Sequence, residues 1–558
     1  MPVEAPTTMA DLLIARADDD HVGLRFEDRS WTWREVVAES ADRASLALDL
    51  RRPGPFHVGI LLENVPEYVF WLGAMALVGG VAVGINPTRR GSELARDIKV
   101  TDCQLLVTDG GGLALLDGLQ LGARLEDERI LRIDQEYGAC DRGNGPEHRS
   151  MRREPRSLIP RAPTADDLFL LLFTSGTTGD PKAVRCTQGR LASIAARCVE
   201  FYGFRRDDVF YCPMPLFHGN ALMVLWGPSV TLGATVALAR RFSATGFLPD
   251  VRRHGATVFT YVGKALSYVL ATGEREDDAD NSLRRGFGTE ASERDRQDFE
   301  RRFGCELVEG YGSSEGGVAI NRGTDTPAGA LGRAMGDIAV VNPETGRECP
   351  RGLLDGAGRL LNPEAAIGEI VNRSGRGSFE GYYGNPDAEA ERFHDGWYWT
   401  GDLAYRDTDG FFWFVGRRGD WMRVDSENMA AGPIERVLVR HPDVEAVAVY
   451  GVADSRSGEQ VMAALELRHG TSFDPLAFSE FLAEQEDLGT KWAPRFVRIV
   501  GRLPLTATNK VTKTPLRQEG WTCTDAVYWL PRRSGGYRRL TEEDRRALDD
   551  ELLVHRGS

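Results

Sequence analysis

The chain has 558 residues and a formal charge of −15 at neutral pH, with 42% hydrophobic and 27% charged residues. It is long enough for two or more domains with sizeable cores, and its composition is that of an ordinary globular protein. The acidity argues against a broad nucleic-acid-binding face, which needs clustered Lys and Arg, but leaves room for a small nucleotide bound by local geometry.

The first residues, MPVEAPTTMADLLIARADDD, carry no positive leader and no long apolar core, so no signal peptide is expected. The run YVFWLGAMALVGGVAVGI, Tyr68 to Ile85, is uncharged and close to the roughly 20 residues of a bilayer span. Gly79-Gly80 splits it, which predicts a buried helix followed by a buried strand. With HVGILLEN upstream the unit reads strand–helix–strand, a soluble core. From about 57 to 340, apolar runs alternate with helical patterns: HVGILLE, CQLLVTD, LFLLLFT, VTLGATVAL, ATVFTYV and CELVEGY. That alternation predicts a mostly parallel sheet covered by helices. Near residue 365 the texture changes to short strands separated by turn signals such as Asp409-Gly410, a local antiparallel region. Residues 420–520 read as a small α+β domain. The tail ends in TEEDRRALDDELL, an amphipathic helix candidate that would cap the chain in solvent.

Cys103, Cys140, Cys186, Cys198, Cys212, Cys305, Cys349 and Cys523 form no C-x-x-C pair, and the nine histidines show no H-x-x-x-H spacing. Free thiols in a reducing compartment, and no zinc site, follow.

Two stretches carry chemistry. In LFLLLFTSGTTGDPKAV a hydrophobic strand runs into Thr174-Ser175-Gly176-Thr177-Thr178-Gly179 and then Lys182. Small residues let backbone N–H groups approach phosphate oxygens, hydroxyls add donors, and lysine adds a point charge. This is not a Walker A loop, and SGTTG alone would read as a simple turn. In CELVEGYGSSEGGVAI, Gly312-Ser313-Ser314-Glu315-Gly316 matches the G-x-S-x-G elbow of a serine hydrolase, with Asp402 and His441 downstream as nominal partners. A hydrolase leaves the glycine-rich loop and Lys510 unexplained.

These stretches are followed or accompanied, in order, by PMPLFHGNA, TVFTYVGKALSYVL, WYWTGDLAYRDTDGFFWFVGRRGD, ENM, LPLTATNKVTKTPLR and GGYRRLTEED. Together they resemble the adenylate-forming superfamily of acyl-CoA synthetases, luciferases and peptide-synthetase adenylation domains. Within it the chain looks most like the fatty acid transport protein, or very-long-chain acyl-CoA synthetase, group. The resemblance spans nearly the whole chain. It implies an α/β fold: a large N-terminal domain, 1–416, with helix-covered mostly parallel sheets and a small β-barrel-like region, then a small mobile α+β domain, 417–520, and a tail, 521–558.

The implied reaction has two steps. A carboxylate attacks the α-phosphate of ATP to give acyl-adenylate and pyrophosphate, and a thiol, usually CoA, then displaces AMP. By resemblance, Thr174, Ser175, Gly176, Thr177, Thr178, Gly179 and Lys182 hold the β- and γ-phosphates. Tyr311 stacks on adenine, and Gly288 lines the base where the family has Gly-Asn-Gly-Leu and this chain has Gly288-Thr289-Glu290-Ala291. Gly312, Ser313 and Ser314 complete the loop, with the Ser314 hydroxyl on a phosphate oxygen and Glu315 on Mg²⁺. Asp402 binds the ribose hydroxyls and Arg417 lies near ribose and phosphate. Lys510 is the adenylation lysine, preceded by Asn509 in place of the usual glycine; Lys513 is its near competitor. His218 resembles the gate to the acyl site, and no aspartate in PLFHGNALM would hold a substrate amine, so a plain carboxylic acid is expected. The hinge falls at Gly419–Asp420. Ser426, Glu427 and Asn428 face the thioester step, with Ser426 in place of a glycine.

The expected enzyme is an AMP-forming fatty acyl-CoA synthetase with Mg²⁺, ATP and CoA, acting on a long- or very-long-chain fatty acid. The alternatives are a steroid side-chain acid, acyl transfer to a carrier protein, the serine hydrolase, and non-catalytic lipid uptake. A cytoplasmic location, open to peripheral membrane contact, is expected, and the oligomeric state is left open.

Overall fold

The computed structural model describes residues 7–122, 124–133, 161–174, 181–356, 358–417, 421–424, 427–454, 458–485, 488, 492–505, 511–531 and 536–548. The chain divides into two compact units, Met1–Ala319 with Arg376–Phe393, and Ile320–Gly375 with His394–Ser558.

The first unit holds two sheets. One runs Ile130–Arg132, Leu105–Thr108, His57–Leu61, Val81–Gly84, Leu168–Thr174, Lys182–Thr187. Its neighbours are parallel except the last pair. The central strands are buried at every residue, as a parallel sheet covered on both faces requires. The apolar run from Tyr68 resolves as the glycines predict: a helix, Pro66–Val78, then the strand Val81–Gly84 parallel to His57–Leu61. Gly79 makes the stop, at φ +64° with its N–H on Met75 O. The helix has 13 residues, and no helix among the described residues is long and apolar enough to cross a membrane.

Within the first unit the second sheet runs Glu306–Gly312, Arg285–Thr289, Val258–Val262, Val209–Cys212, Thr235–Leu238, Val22–Phe26, Arg29–Thr32. Its pairs are parallel up to the closing hairpin. VTLGATVAL is a strand only from Thr235. Before it, Gly227–Leu232 is a helix that Gly233 ends at φ +70°.

Residues 376–393 return to this unit as a strap along the strand Lys182–Thr187. Arg185 N donates to Gly381 O (3.1 Å) and Tyr383 N to Ala183 O (2.8 Å). Tyr382 bridges Val184, and the Glu380 carboxylate accepts from Thr187 N (2.8 Å) and Thr187 Oγ1 (2.7 Å).

The second unit begins with an antiparallel sheet of Ile338–Val341, Gly368–Asn372, Trp397–Arg406 and Phe412–Arg417. The predicted turn at 409–410 closes its last hairpin: Gly410 has φ +88°, and Asp407 accepts from Phe411 N and Trp413 Nε1, both at 2.8 Å. A further sheet runs Glu427–Ala430, Trp421–Val424, Gly458–Leu467, Phe496–Val500, Ala526–Trp529, Arg538–Arg539, with Val444–Asp454 also paired to Gly458–Leu467. This sheet does not stop at residue 520. Ala526–Trp529 pairs antiparallel with Phe496–Val500. Trp521 stacks on Phe496 with centroids 5.0 Å apart, and Tyr537 donates to Pro494 O. The tail is drawn in because its aromatic residues finish the sheet core, Trp521 and Trp529 in one cluster and Tyr537 in the other. The α/β class, with a large N-terminal body of mixed sheets and helices and a small C-terminal one, is as expected.

Trp521 is 6% exposed. Trp521→Ala is expected to destabilise the chain by about 3 kcal/mol, as loss of a buried aromatic does, read as a lower denaturant midpoint for the C-terminal sheet.

Candidate active site

Thr174 ends the strand Leu168–Thr174 and is the register partner of Lys182. The antiparallel turn-back therefore sets these two residues side by side. Ser175, Gly176, Thr177, Thr178 and Gly179, between them, lie outside the described residues. Glu315, 7% exposed, comes to the same place. Its Oε1 accepts from Thr174 Oγ1 (3.2 Å) and from Tyr382 Oη (3.1 Å). Burial, and then the Glu315 charge, push the Tyr382 phenol well above its usual pKa, with Arg392 acting against them. The phenol is thus a neutral donor. Lys182, 6% exposed, pairs with Glu391 Oε2 at 3.1 Å and lies 5.5 Å from the Tyr382 ring centroid.

The loop carrying Ser314 and Glu315 is a strand–turn–strand. Glu306–Gly312 leads into a turn and then Ala319–Asn321, with no helix between them. This corrects the nucleophile-elbow reading of Ser314, which needs a helix after the serine. Arg190 pins the turn by donating to Ser314 O and Arg185 O, each at 2.6 Å. Gly316, at φ +71°, donates to Ser313 O and accepts from Ser378 N, each at 3.0 Å. A Cβ on Gly219 would stand 2.6 Å from Ser314 Oγ, so the loop of His218 and that of Ser314 are in contact. Half-buried Tyr311 and exposed Gly312 end the Glu306 strand. Gly288, on the next strand, lies in register between Tyr261 and Glu309.

In the second unit Asp402 and Arg417 are register partners, with Arg417 Nε 3.5 Å from Asp402 Oδ1. Gly401, at φ +73°, donates to Glu369 Oε1 (2.6 Å), and Asp402 N donates to Thr400 Oγ1 (3.1 Å), which fixes the backbone at this point. Glu427 and Asn428 open a strand opposite Val424 and Arg423. Gly419, Asp420, Ser426 and Lys510 lie outside the described residues. Lys513, the competitor to Lys510, is in an ion pair with Glu435 at 2.8 Å. Thr512 N donates to Pro504 O (2.9 Å), so the chain enters and leaves the Lys510 segment at adjacent points.

The first unit thus gathers Thr174, Lys182, Ser314, Glu315 and His218. Sequence reasoning missed Tyr382, Glu391 and Asn64. Asn64 and Tyr382 signal themselves only as polar residues in loops, and Glu391, in the polar helix Pro386–Arg392, carries no local signal.

A family model described as AMP-binding enzyme matches residues 14–383, and one described as AMP-binding enzyme C-terminal domain matches 433–510. The chain belongs to the AMP-binding family of adenylate-forming enzymes. It is 54% identical over 552 residues to steroid-22-oyl-CoA synthetase of Rhodococcus jostii, covering 98% of each chain. It is 46% identical over 526 residues to a medium/long-chain-fatty-acid–CoA ligase of Mycobacterium tuberculosis, covering 94% of this chain and 99% of that one. ATP-bound MatB from Rhodopseudomonas palustris superposes with a TM-score of 0.76 at 25% identity, covering 92% and 98%. The chain is an AMP-forming acid–CoA ligase, with ATP and CoA as substrates. The expected nearness to the fatty acid transport group holds only in part, since these relatives carry other names.

In this ligase the His218 loop is held by one buried side chain. Asn64, 3% exposed, donates to Met214 O (2.9 Å) and Cys212 O (3.4 Å) and accepts from Leu216 N (2.8 Å). Asn64→Ala strips Leu216 N of its acceptor and Met214 O of its amide donor, while Cys212 O keeps Ala239 N at 3.1 Å. It is expected to cost about 2 kcal/mol, measured by equilibrium denaturation.

Proposed function

We propose that this ligase activates a bulky hydrophobic carboxylic acid of the steroid side-chain type. The observation that carries this is the 54% identity, end to end, with a steroid-22-oyl-CoA synthetase. A medium- or long-chain fatty acid is the second reading, favoured by the 46% relative and closer to the leading expectation from sequence. The buried apolar run around the His218 loop, Met214, Leu216, Phe217, Leu222 and Met223, supports either acid and gives an amine no partner.

The residues take the following parts. Lys182 and Thr174–Gly179 hold the β- and γ-phosphates, which requires Lys182 to exchange Glu391 for ATP. The Ser314 hydroxyl meets a phosphate oxygen. Tyr311 and Gly288 flank the base, with Gly312 and Ser313 shaping the loop. Asp402 and Arg417 bind the ribose side, and His218 gates the acyl group. Lys510 approaches the α-phosphate and the attacking carboxylate, and the engagement of Lys513 with Glu435 supports that choice. Positioning and charge stabilisation then lower the barrier without a covalent enzyme intermediate. The pivot between half-reactions is at Gly419–Asp420, dividing 1–416 from 417–520 and the tail, and Ser426, Glu427 and Asn428 face the pantetheine thiol.

Glu315 fits Mg²⁺. It offers one carboxylate oxygen in a polar setting, and no group of three or more His, Cys, Asp or Glu sits together among the described residues. That suits an ion that keeps waters and takes phosphate oxygens as ligands. When bound, it neutralises phosphate charge.

AMP release should be measured across a panel of steroid side-chain acids and fatty acids, with and without CoA. The expected result is the highest kcat/KM with a steroid acid, and acyl-CoA only when CoA is present. A preference for fatty acids of any length moves the assignment to the second reading. Lys510→Ala is expected to slow adenylation by about 10²-fold or more while leaving thioester formation from supplied acyl-AMP. Loss of both half-reactions would remove Lys510 from the role.

A further inference from the structure

Glu315 Oε1 receives two hydroxyl donors, Thr174 Oγ1 at 3.2 Å and Tyr382 Oη at 3.1 Å. Among the described residues no donor meets Oε2. A carboxylate saturated on one oxygen can turn only about that oxygen, so the direction of the other is set by its donors. Tyr382 is itself placed by backbone. It is 4% exposed, bridges Val184, and follows Gly381 at φ +90°. Its ring packs on Phe379 at 5.1 Å. The strand it bridges is the one that begins with Lys182, so the strap positions the carboxylate relative to the lysine.

We propose that Tyr382 is a positioning residue for the cation: with Thr174 it holds Glu315 Oε1 so that Oε2 is presented to Mg²⁺. This rests on the reading of Glu315 as the metal-holding group. The phenol oxygen meets Glu315 and the Arg392 guanidinium. Its loss acts through Glu315 and falls on metal affinity, leaving the KM for the acid unchanged.

The test is a titration of Mn²⁺, followed by electron paramagnetic resonance, into the full chain with a non-hydrolysable ATP analogue. It compares wild type, Tyr382→Phe, Glu315→Gln and the double variant. Tyr382→Phe keeps the ring contacts and removes only the hydroxyl. It is expected to weaken Mn²⁺ by about 10-fold, the usual size of losing a group that orients a metal ligand, and to have no further effect in the Glu315→Gln background. Mn²⁺ affinity within twofold of wild type, while Glu315→Gln is weak, overturns the role of Tyr382 alone. Equal losses in both backgrounds overturn it too, since they mark a packing effect. Unchanged affinity in Glu315→Gln overturns the metal reading itself. Should Tyr382→Phe fold poorly by thermal melting, Thr174→Val removes the other donor to the same oxygen. A Mn²⁺ loss of similar size is then expected, and an unchanged affinity overturns the proposal.

Discussion

A carboxylate with little solvent around it must be hydrogen-bonded, or its charge is costly to bury. Glu315 meets that demand with two hydroxyls, one 141 residues before it and one 67 after it, and the surrounding segments are arranged to supply them. Thr174 arrives at the end of a buried strand. Tyr382 arrives on the strap lying along the neighbouring strand. Glu315 itself sits on a turn that Arg190 ties, through Ser314 O, to the start of its own helix and to Arg185 O. The Lys182 ammonium is held nearby by Glu391 from the same strap. Positive and negative charge are therefore both held beside the strand ends at Thr174 and Lys182. Each has a partner that can be exchanged for, or shared with, a ligand.

The local parts of this arrangement were legible in the residues. Gly79-Gly80 marks the end of a helix because only glycine accepts the left-handed cap cheaply. Asp409-Gly410 marks the hairpin, and the run into Thr174 reads as a buried strand. The tertiary parts were not. Tyr382 is 67 residues from Glu315, and Glu391 is 209 from Lys182. Periodicity carries no information across such separations. The elbow alternative at Ser314 matches by pattern alone for a related reason. Small residues let a chain turn tightly, but they do not specify whether a strand or a helix follows. Likewise nothing local in residues 521–529 announces that Trp521 and the Ala526–Trp529 strand complete a buried face. Burial there depends on a partner strand, not on local composition.

At Gly288-Thr289-Glu290-Ala291 the backbone takes a glycine-like turn at a residue that is not glycine. Glu290 has φ +68°, the left-handed region that a glycine would occupy without strain. A non-glycine residue there costs on the order of 1–3 kcal/mol and persists only where the surroundings impose it. Two contacts do so. Ala291 N donates to Glu309 Oε1 at 2.9 Å, and Gly263 leaves room for the Glu290 carbonyl, which a Cβ would approach to 1.8 Å. The space that the turn requires is supplied by Gly263, the first residue of the adjoining helix. Gly288 has no such substitute. A Cβ there would lie 2.5 Å from the Tyr261 ring, with the backbone carbonyl of Tyr261 at 2.6 Å, so a side chain would collide on the sheet itself. A flat surface at 288 and a fixed turn at 290 follow from packing alone. The backbone beside the proposed base site is therefore held by packing from the strand of Tyr261 and the helix that follows it.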